Sequence, residues 1–157
     1  MREIKFRALK DDISNCTFVY GQLVYDAVGN PRITAVDKSG QGLTFTTCLK
    51  ETVGQYTGLK DKNGTQIFEG DILKVGVKHG FNSDLLTEFK EENNLHSING
   101  IGEHFVGIVR VDLLRGLMFE SQKNGYQEPM FTRHRDIKRN HSEIEIIGNI
   151  HENPELL

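Results

Sequence analysis

Gln55-Tyr56-Thr57-Gly58-Leu59-Lys60-Asp61-Lys62-Asn63-Gly64-Thr65-Gln66-Ile67-Phe68 sets the fold class of this chain. Two β-prone runs flank Asn63-Gly64, a pair that tolerates positive φ and so forms a turn whose twist matches that of the strands it joins. The stretch predicts a hairpin. Glu69-Gly70-Asp71 makes a second tight corner and releases Ile72-Leu73-Lys74-Val75-Gly76-Val77 as the next strand.

Towards the N-terminus the hydrophobic period is two. Ile4, Phe6 and Ala8 alternate with Glu3, Lys5 and Arg7, the pattern of a strand with one wet face. Further strands are expected at residues 17–25, 32–36 and 43–49, separated by turn chemistry at Gly29-Asn30-Pro31 and Asp37-Lys38-Ser39-Gly40. Towards the C-terminus, strands are expected from His104 to Val111, Leu117 to Glu120, Tyr126 to Thr132 and Glu143 to Ile150. Short strands with turns every 8 to 12 residues indicate an antiparallel barrel or sandwich.

Residues 79–103 depart from this rhythm. Asn, Glu, Gly and Ser dominate, around one helical phrase from Ser83 to Glu92 in which Leu85, Leu86 and Phe89 share a face. Ser83 suits an N-cap and Asp84 the positive end of the helix dipole. An insertion carrying one short helix between two strands is expected.

A chain of 157 residues is of single-domain size, and 37% hydrophobic residues with 16 glycines is an ordinary globular composition. The expectation is one β-rich unit over residues 1–157, with a subdivision into 1–57 and 58–157 as the alternative. A net charge of -3 gives no global field to draw the molecule onto nucleic acid or anionic lipid. Apolar runs such as Phe105 to Val109 are too short to span a bilayer, and Met1 to Arg7 offers no signal-peptide core. The expected setting is cytoplasmic, with no membrane partner. Cys16 and Cys48 form no CxxC pair and stand among strand-like residues, so both read as small structural side chains.

The six histidines, His79, His96, His104, His134, His141 and His151, form no HExxH or HxH pattern. Glu103-His104 and His141 with Glu143 are the nearest approach to a ligand set for a metal-dependent hydrolase. No GxSxG elbow and no Gly-rich phosphate loop occurs. No catalytic, metal or cofactor-binding residue is therefore assigned, and no cofactor is expected.

One basic cluster stands out. Arg133-His134-Arg135-Asp136-Ile137-Lys138-Arg139-Asn140-His141 sets Arg133, Arg135, Lys138 and Arg139 against one acid. These cations suit a phosphate backbone, and Tyr126 and Phe131 offer stacking surfaces nearby. The plainer reading is a solvated connector before the last strand. Ile150, Leu156 and Leu157 make the C-terminal end apolar, which suits packing back on the chain's own barrel or docking on a neighbouring subunit.

Three phrases carry a resemblance: Ile4-Lys5-Phe6-Arg7-Ala8, the run Gln55 to Ile72, and the closing Ile146-Ile147-Gly148-Asn149-Ile150-His151-Glu152-Asn153-Pro154-Glu155-Leu156-Leu157. Together they resemble the YopX family of phage and prophage genomes over the whole chain. Leu9 stands where such openings often show an aromatic, and His151 where Tyr is common. The resemblance implies an SH3-like β-barrel from about Ile67 to Phe119, with additional N-terminal strands, in a phage accessory protein. It brings no catalytic residue to carry over. The function expected is a non-catalytic binding module for another protein or for itself, with nucleic-acid binding through residues 133–141 as the alternative. Gly58, Gly64, Gly70 and Gly148 then serve corners, and Asp61 and Asp71 cap turn amides.

Overall fold

One turn recurs at three hairpins of this protein. In Asp26-Ala27-Val28-Gly29, Asp37-Lys38-Ser39-Gly40 and Asp61-Lys62-Asn63-Gly64, the glycine N–H donates to the aspartate carbonyl, at 3.0 Å in each case. Each aspartate carboxylate accepts from the backbone N–H two and four residues on: Val28 and Asn30 at 3.0 and 2.9 Å, Ser39 and Gln41 at 2.9 and 3.3 Å, Asn63 and Thr65 at 2.8 and 2.9 Å. The short acidic side chain thus satisfies amides that a reversing chain would leave unpaired. Each glycine takes positive φ, 87°, 74° and 82° in turn, where a Cβ would be strained. The third hairpin is therefore a longer loop, from Asp61 to Thr65, than the two-residue Asn63-Gly64 turn expected, because Asp61 opens it.

The computed structural model describes residues 3–12, 17–76, 104–112, 114, 116–121, 127–129 and 144–157. The insertion with its helix (79–103), the basic segment (133–141) and Cys16 lie outside the described residues. Eleven strands are present among those described: β1 (Phe6–Leu9), β2 (Phe18–Tyr25), β3 (Pro31–Val36), β4 (Leu43–Thr47), β5 (Gly54–Lys60), β6 (Gln66–Phe68), β7 (Asp71–Gly76), β8 (His104–Asp112), β9 (Gly116–Ser121), β10 (Gln127–Pro129) and β11 (Ile144–Asn149). They form two antiparallel sheets, ordered β4-β3-β2-β1-β5-β6 and β10-β9-β8-β7-β11. The fold is mainly β, as the hydrophobic period implies. Among the described residues, no helix is long and apolar enough to cross a membrane.

The chain divides into two compact units, one of residues 1–59 and 66–70, the other of residues 60–65 and 71–157. In the first, β2 pairs β3 with Leu23 opposite Ile33, and β1 pairs β2 with Ala8 opposite Val19. Directly opposed residues share a face. Ala8, Ile33 and Cys48 accordingly form a buried cluster with Phe6, Val19, Leu23 and Val53 against it. The sheet also curls on itself: Lys10 bridges Cys48, the Leu49 N–H donates to the Leu9 carbonyl at 3.0 Å, and the Asp11 N–H to that of Thr47 at 3.0 Å. Thr52, in a 3-10 turn, secures this junction, accepting from the Leu9 N–H at 3.0 Å and donating to the Leu49 carbonyl at 2.7 Å.

Arg7 corrects the expectation of a wet face on β1. It is 7% exposed. Its guanidinium lies 4.5 Å from the Phe18 ring centroid and 5.1 Å from that of Phe68, and donates to the Glu69 carbonyl at 3.3 Å. A planar, weakly hydrated cation stacks between aromatic faces where an ammonium would keep its water. The opposite face of β1 is covered too, so alternation alone does not reveal which side meets solvent.

The second unit centres on β7 and β8, whose Ile72, Leu73, Ile108 and Val109 are buried with Met118, Phe119 and Ile144. Gly107 leaves room for a ring from the next strand: a Cβ there would lie 2.5 Å from Phe119 Cζ and against the Glu120 carbonyl. β11 pairs β7 with a register shift between Ile146 and Gly148. Beyond it the chain folds back, with Asn149 Oδ1 accepting from the His151 and Glu152 N–H groups, both at 3.0 Å. Gly148 is needed for that return, since a Cβ would meet Asn153 Oδ1 at 2.6 Å and Leu156 Cδ1 at 2.9 Å. The apolar tail therefore turns back on β11, although Leu156 and Leu157 stay partly exposed.

Candidate interaction surface

The face of β2, β3 and β4 opposite the buried cluster carries the first unit's unusual surface. Thr34 sits opposite Gln22 on one side and Phe45 on the other, and Val36 opposite Leu43. Tyr20 is two residues before Gln22, so it shares this face. Tyr20, Val36, Leu43 and Phe45 are 46%, 65%, 62% and 57% exposed. Four large apolar side chains thus lie side by side in water. An isolated exposed apolar residue is ordinary, but a contiguous group of this kind marks a contact surface.

A braced aromatic cluster adjoins it. The Tyr20 ring meets Phe68 edge-on at 5.5 Å, and Tyr56 packs on Phe68 at 5.4 Å. Lys5 Nζ stands 5.8 Å from the Tyr20 centroid and donates to Gln66 Oε1 at 2.9 Å. Arg7, directly opposite on β1, lies beside it, so Tyr20 is braced along one side while about half its surface faces solvent. Burial raises the Tyr56 hydroxyl above its ordinary pKa, with the Glu3 charge adding to the effect, so the phenol stays neutral.

In the second unit, Asp61 joins a turn to a strand. Its carboxylate is 6% exposed and, besides its turn amides, accepts from the Ile146 N–H of β11 at 3.4 Å. Burial alone would raise its pKa. The N–H groups of Thr65, Asn63 and Ile146 outweigh it and leave the carboxyl below its ordinary value. Lys62 Nζ also reaches Glu145 Oε2 at 2.6 Å. All of these groups are engaged in holding turns and strands together.

Of the residues singled out from sequence, Arg133, Arg135, Lys138 and Arg139 lie outside the described residues, as do Glu103, His141 and Glu143. Among the described residues, no group of three or more His, Cys, Asp or Glu is placed to hold a metal ion. Cys48 is a free, buried thiol whose pKa burial raises, which disfavours the nucleophilic thiolate. Sequence reasoning missed the apolar face. Leu43-Thr44-Phe45 alternates as a strand does, and only the register, which pairs Thr46 with Ile33 and so puts Leu43 and Phe45 on the other face, turns them outward.

Comparison with known proteins agrees with this architecture. The crystal structure of protein EF1440 from Enterococcus faecalis is similar over 100% of this chain and 99% of its own, with 22% identity and a TM-score of 0.53. At that identity the likeness concerns the fold alone. No curated protein matches the chain. The family model described as YopX protein matches residues 5–157, which contain all three phrases quoted from the sequence except Ile4. The chain belongs to the YopX family.

Proposed function

We propose that this protein is a phage- or prophage-encoded accessory factor of the cytoplasm that acts as a non-catalytic binding module, docking a protein through the outer face of β2, β3 and β4. The observation that carries this reading is the contiguous exposure of Tyr20, Val36, Leu43 and Phe45 beside a braced aromatic cluster. Rigid aromatic anchors such as Tyr20 supply contact area at little cost in conformational freedom, and the apolar side chains around them exclude water. Family membership supports the phage setting.

The second unit is read as an SH3-like barrel. Its strand order, β11-β7-β8-β9-β10, has the last strand returning beside the first of a four-strand meander, as in five-stranded SH3-like barrels. Such a barrel is a scaffold, and its shape alone assigns no partner. The alternative function, nucleic-acid binding through Arg133, Arg135, Lys138 and Arg139, rests on four cations crowded around one acid in the sequence.

The test uses tagged full-length protein as bait in cells carrying the prophage, with wild type and Phe45→Lys compared. The expected result is a protein set captured by wild type and lost with the variant. Equal capture by both baits overturns the docking face. Salt-sensitive binding to single-stranded DNA that disappears on changing the four cations to Ala would favour the alternative.

A further inference from the structure

Along the sheet edge at β4, the described residues cover one half and leave the other half uncovered. Backbone pairing with β3 alternates residue by residue. The Asp37 N–H donates to the Gly42 carbonyl at 2.9 Å, and the Cys48 N–H to that of Pro31 at 3.1 Å. Even-numbered residues of β4 thus turn their amides towards β3, and Leu43, Phe45 and Thr47 turn theirs outward. The chain's own N-terminal segment takes the lower half of that edge, where Asp11 donates to Thr47 and Leu49 to Leu9. Among the described residues, nothing takes the upper half, at Leu43 and Phe45.

We infer that the open half of β4 pairs with the same half of a second copy, antiparallel, about a two-fold axis at Thr44. This rests on the docking reading above and names the occupant of part of that face. Two-fold antiparallel pairing at Thr44 sets Leu43 opposite Phe45 of the other copy, and the reverse. The outward N–H and C=O of both residues then find partners, because two residues apart about a central one is a self-complementary spacing. On the apolar face, Leu43 and Phe45 of each copy pack together, flanked by Val36 and Tyr20.

The side chains of β4 fit a second copy. Leu43-Thr44-Phe45-Thr46-Thr47 carries no ionisable side chain and no proline, so it lacks the usual devices that keep edges apart. Like charges do not meet across the axis. Edge pairing brings the flanks of Leu43 and Phe45 together while the outer face of the sheet stays in solvent, so it buries well under the roughly 800 Å² per partner of a standard specific interface. The dimer is therefore weak and concentration-dependent.

Sedimentation of the full chain from about 5 to about 500 μM spans the concentrations at which weak complexes form. Wild type is expected to pass from monomer to dimer, with the Leu43 and Phe45 amides gaining protection from hydrogen exchange as concentration rises. Phe45→Lys and Leu43→Lys, each with a circular dichroism spectrum like wild type, are expected to weaken the dimer at least tenfold. Val28→Lys, at the tip of the Asp26 turn, is expected to leave it unchanged. A wild-type chain still monomeric at the highest concentration, or a dimer as tight with Phe45→Lys, overturns the inference. Loss of captured protein with the Phe45→Lys bait would then leave the docking face standing without self-pairing.

Discussion

Replacing Asp61 with Ala removes the acceptor for three backbone N–H groups, at Asn63 (2.8 Å), Thr65 (2.9 Å) and Ile146 (3.4 Å). Hydrogen bonds to a charged acceptor contribute roughly 1.5 to 3 kcal/mol each, but turn amides regain much of that from water. The long bond to Ile146 is the weakest of the three. A net loss of about 2 to 3 kcal/mol is expected. Asp61→Asn keeps an oxygen for the two short bonds but aims an NH2 group at the Ile146 N–H, so it is expected to cost about 1 kcal/mol. Because the folded carboxyl titrates below its ordinary value of 3.8, the unfolded chain binds protons first as pH falls. The stabilisation is complete above that ordinary value and is lost as pH drops through the folded one. Urea unfolding followed by circular dichroism, with amide exchange of β11 as a local reporter, measures both effects. A gap between wild type and Asp61→Ala that fails to appear at neutral pH, or that stays constant into strong acid, refutes the assignment.

Other perturbations separate packing from surface charge. Gly107→Ala drives a methyl into the Phe119 ring and the Glu120 carbonyl, and is expected to cost about 3 kcal/mol in a urea titration. Thr52→Val leaves the Leu9 N–H buried without its hydroxyl acceptor, for an expected loss of about 2 kcal/mol in the same assay. Lys62→Ala breaks an ion pair whose side chains are both more than a third exposed, and should shift stability by less than about 0.5 kcal/mol, with no effect left at high salt.

Strand positions and corners were legible in the sequence because each has a local cause. The period of two marks Phe6–Leu9 and Leu43–Thr47, and aspartate with glycine marks the turns at 37–40 and 61–64, whereas the turn expected at Gly29-Asn30-Pro31 begins earlier, at Asp26, and Pro31 already belongs to β3. What the local pattern lacks is the pairing partner. Arg7 reads as a wet residue until Phe18 and Phe68 close on it from strands distant in sequence. Leu43 and Phe45 show only a strand's alternation until the register with β3 puts them on the face away from Ile33. Gly107 reads as an ordinary glycine until Phe119 lies across it. Each is a non-local contact, and no window along one strand contains it.

The phrases that carry the family resemblance supply turns and the aromatic cluster that braces Tyr20, whereas the four exposed side chains of the proposed face lie elsewhere in the sequence. Asp61, Gly64, Gly148 and Asn149 build turns, and their polar atoms are taken up by backbone within a few residues or by β11. Tyr20, Val36, Leu43 and Phe45 lie outside those phrases and stand in solvent. The scaffold can therefore persist while the face changes, and the two are separable by experiment. Val36→Thr combined with Phe45→Thr keeps β-branched or strand-compatible residues at exposed sites, so the double variant should unfold within about 1 kcal/mol of wild type. It should also lose most of the binding that the face supports. A double variant that collapses in stability would mean that these side chains belong to the core of the fold, and the surface reading would fall with it.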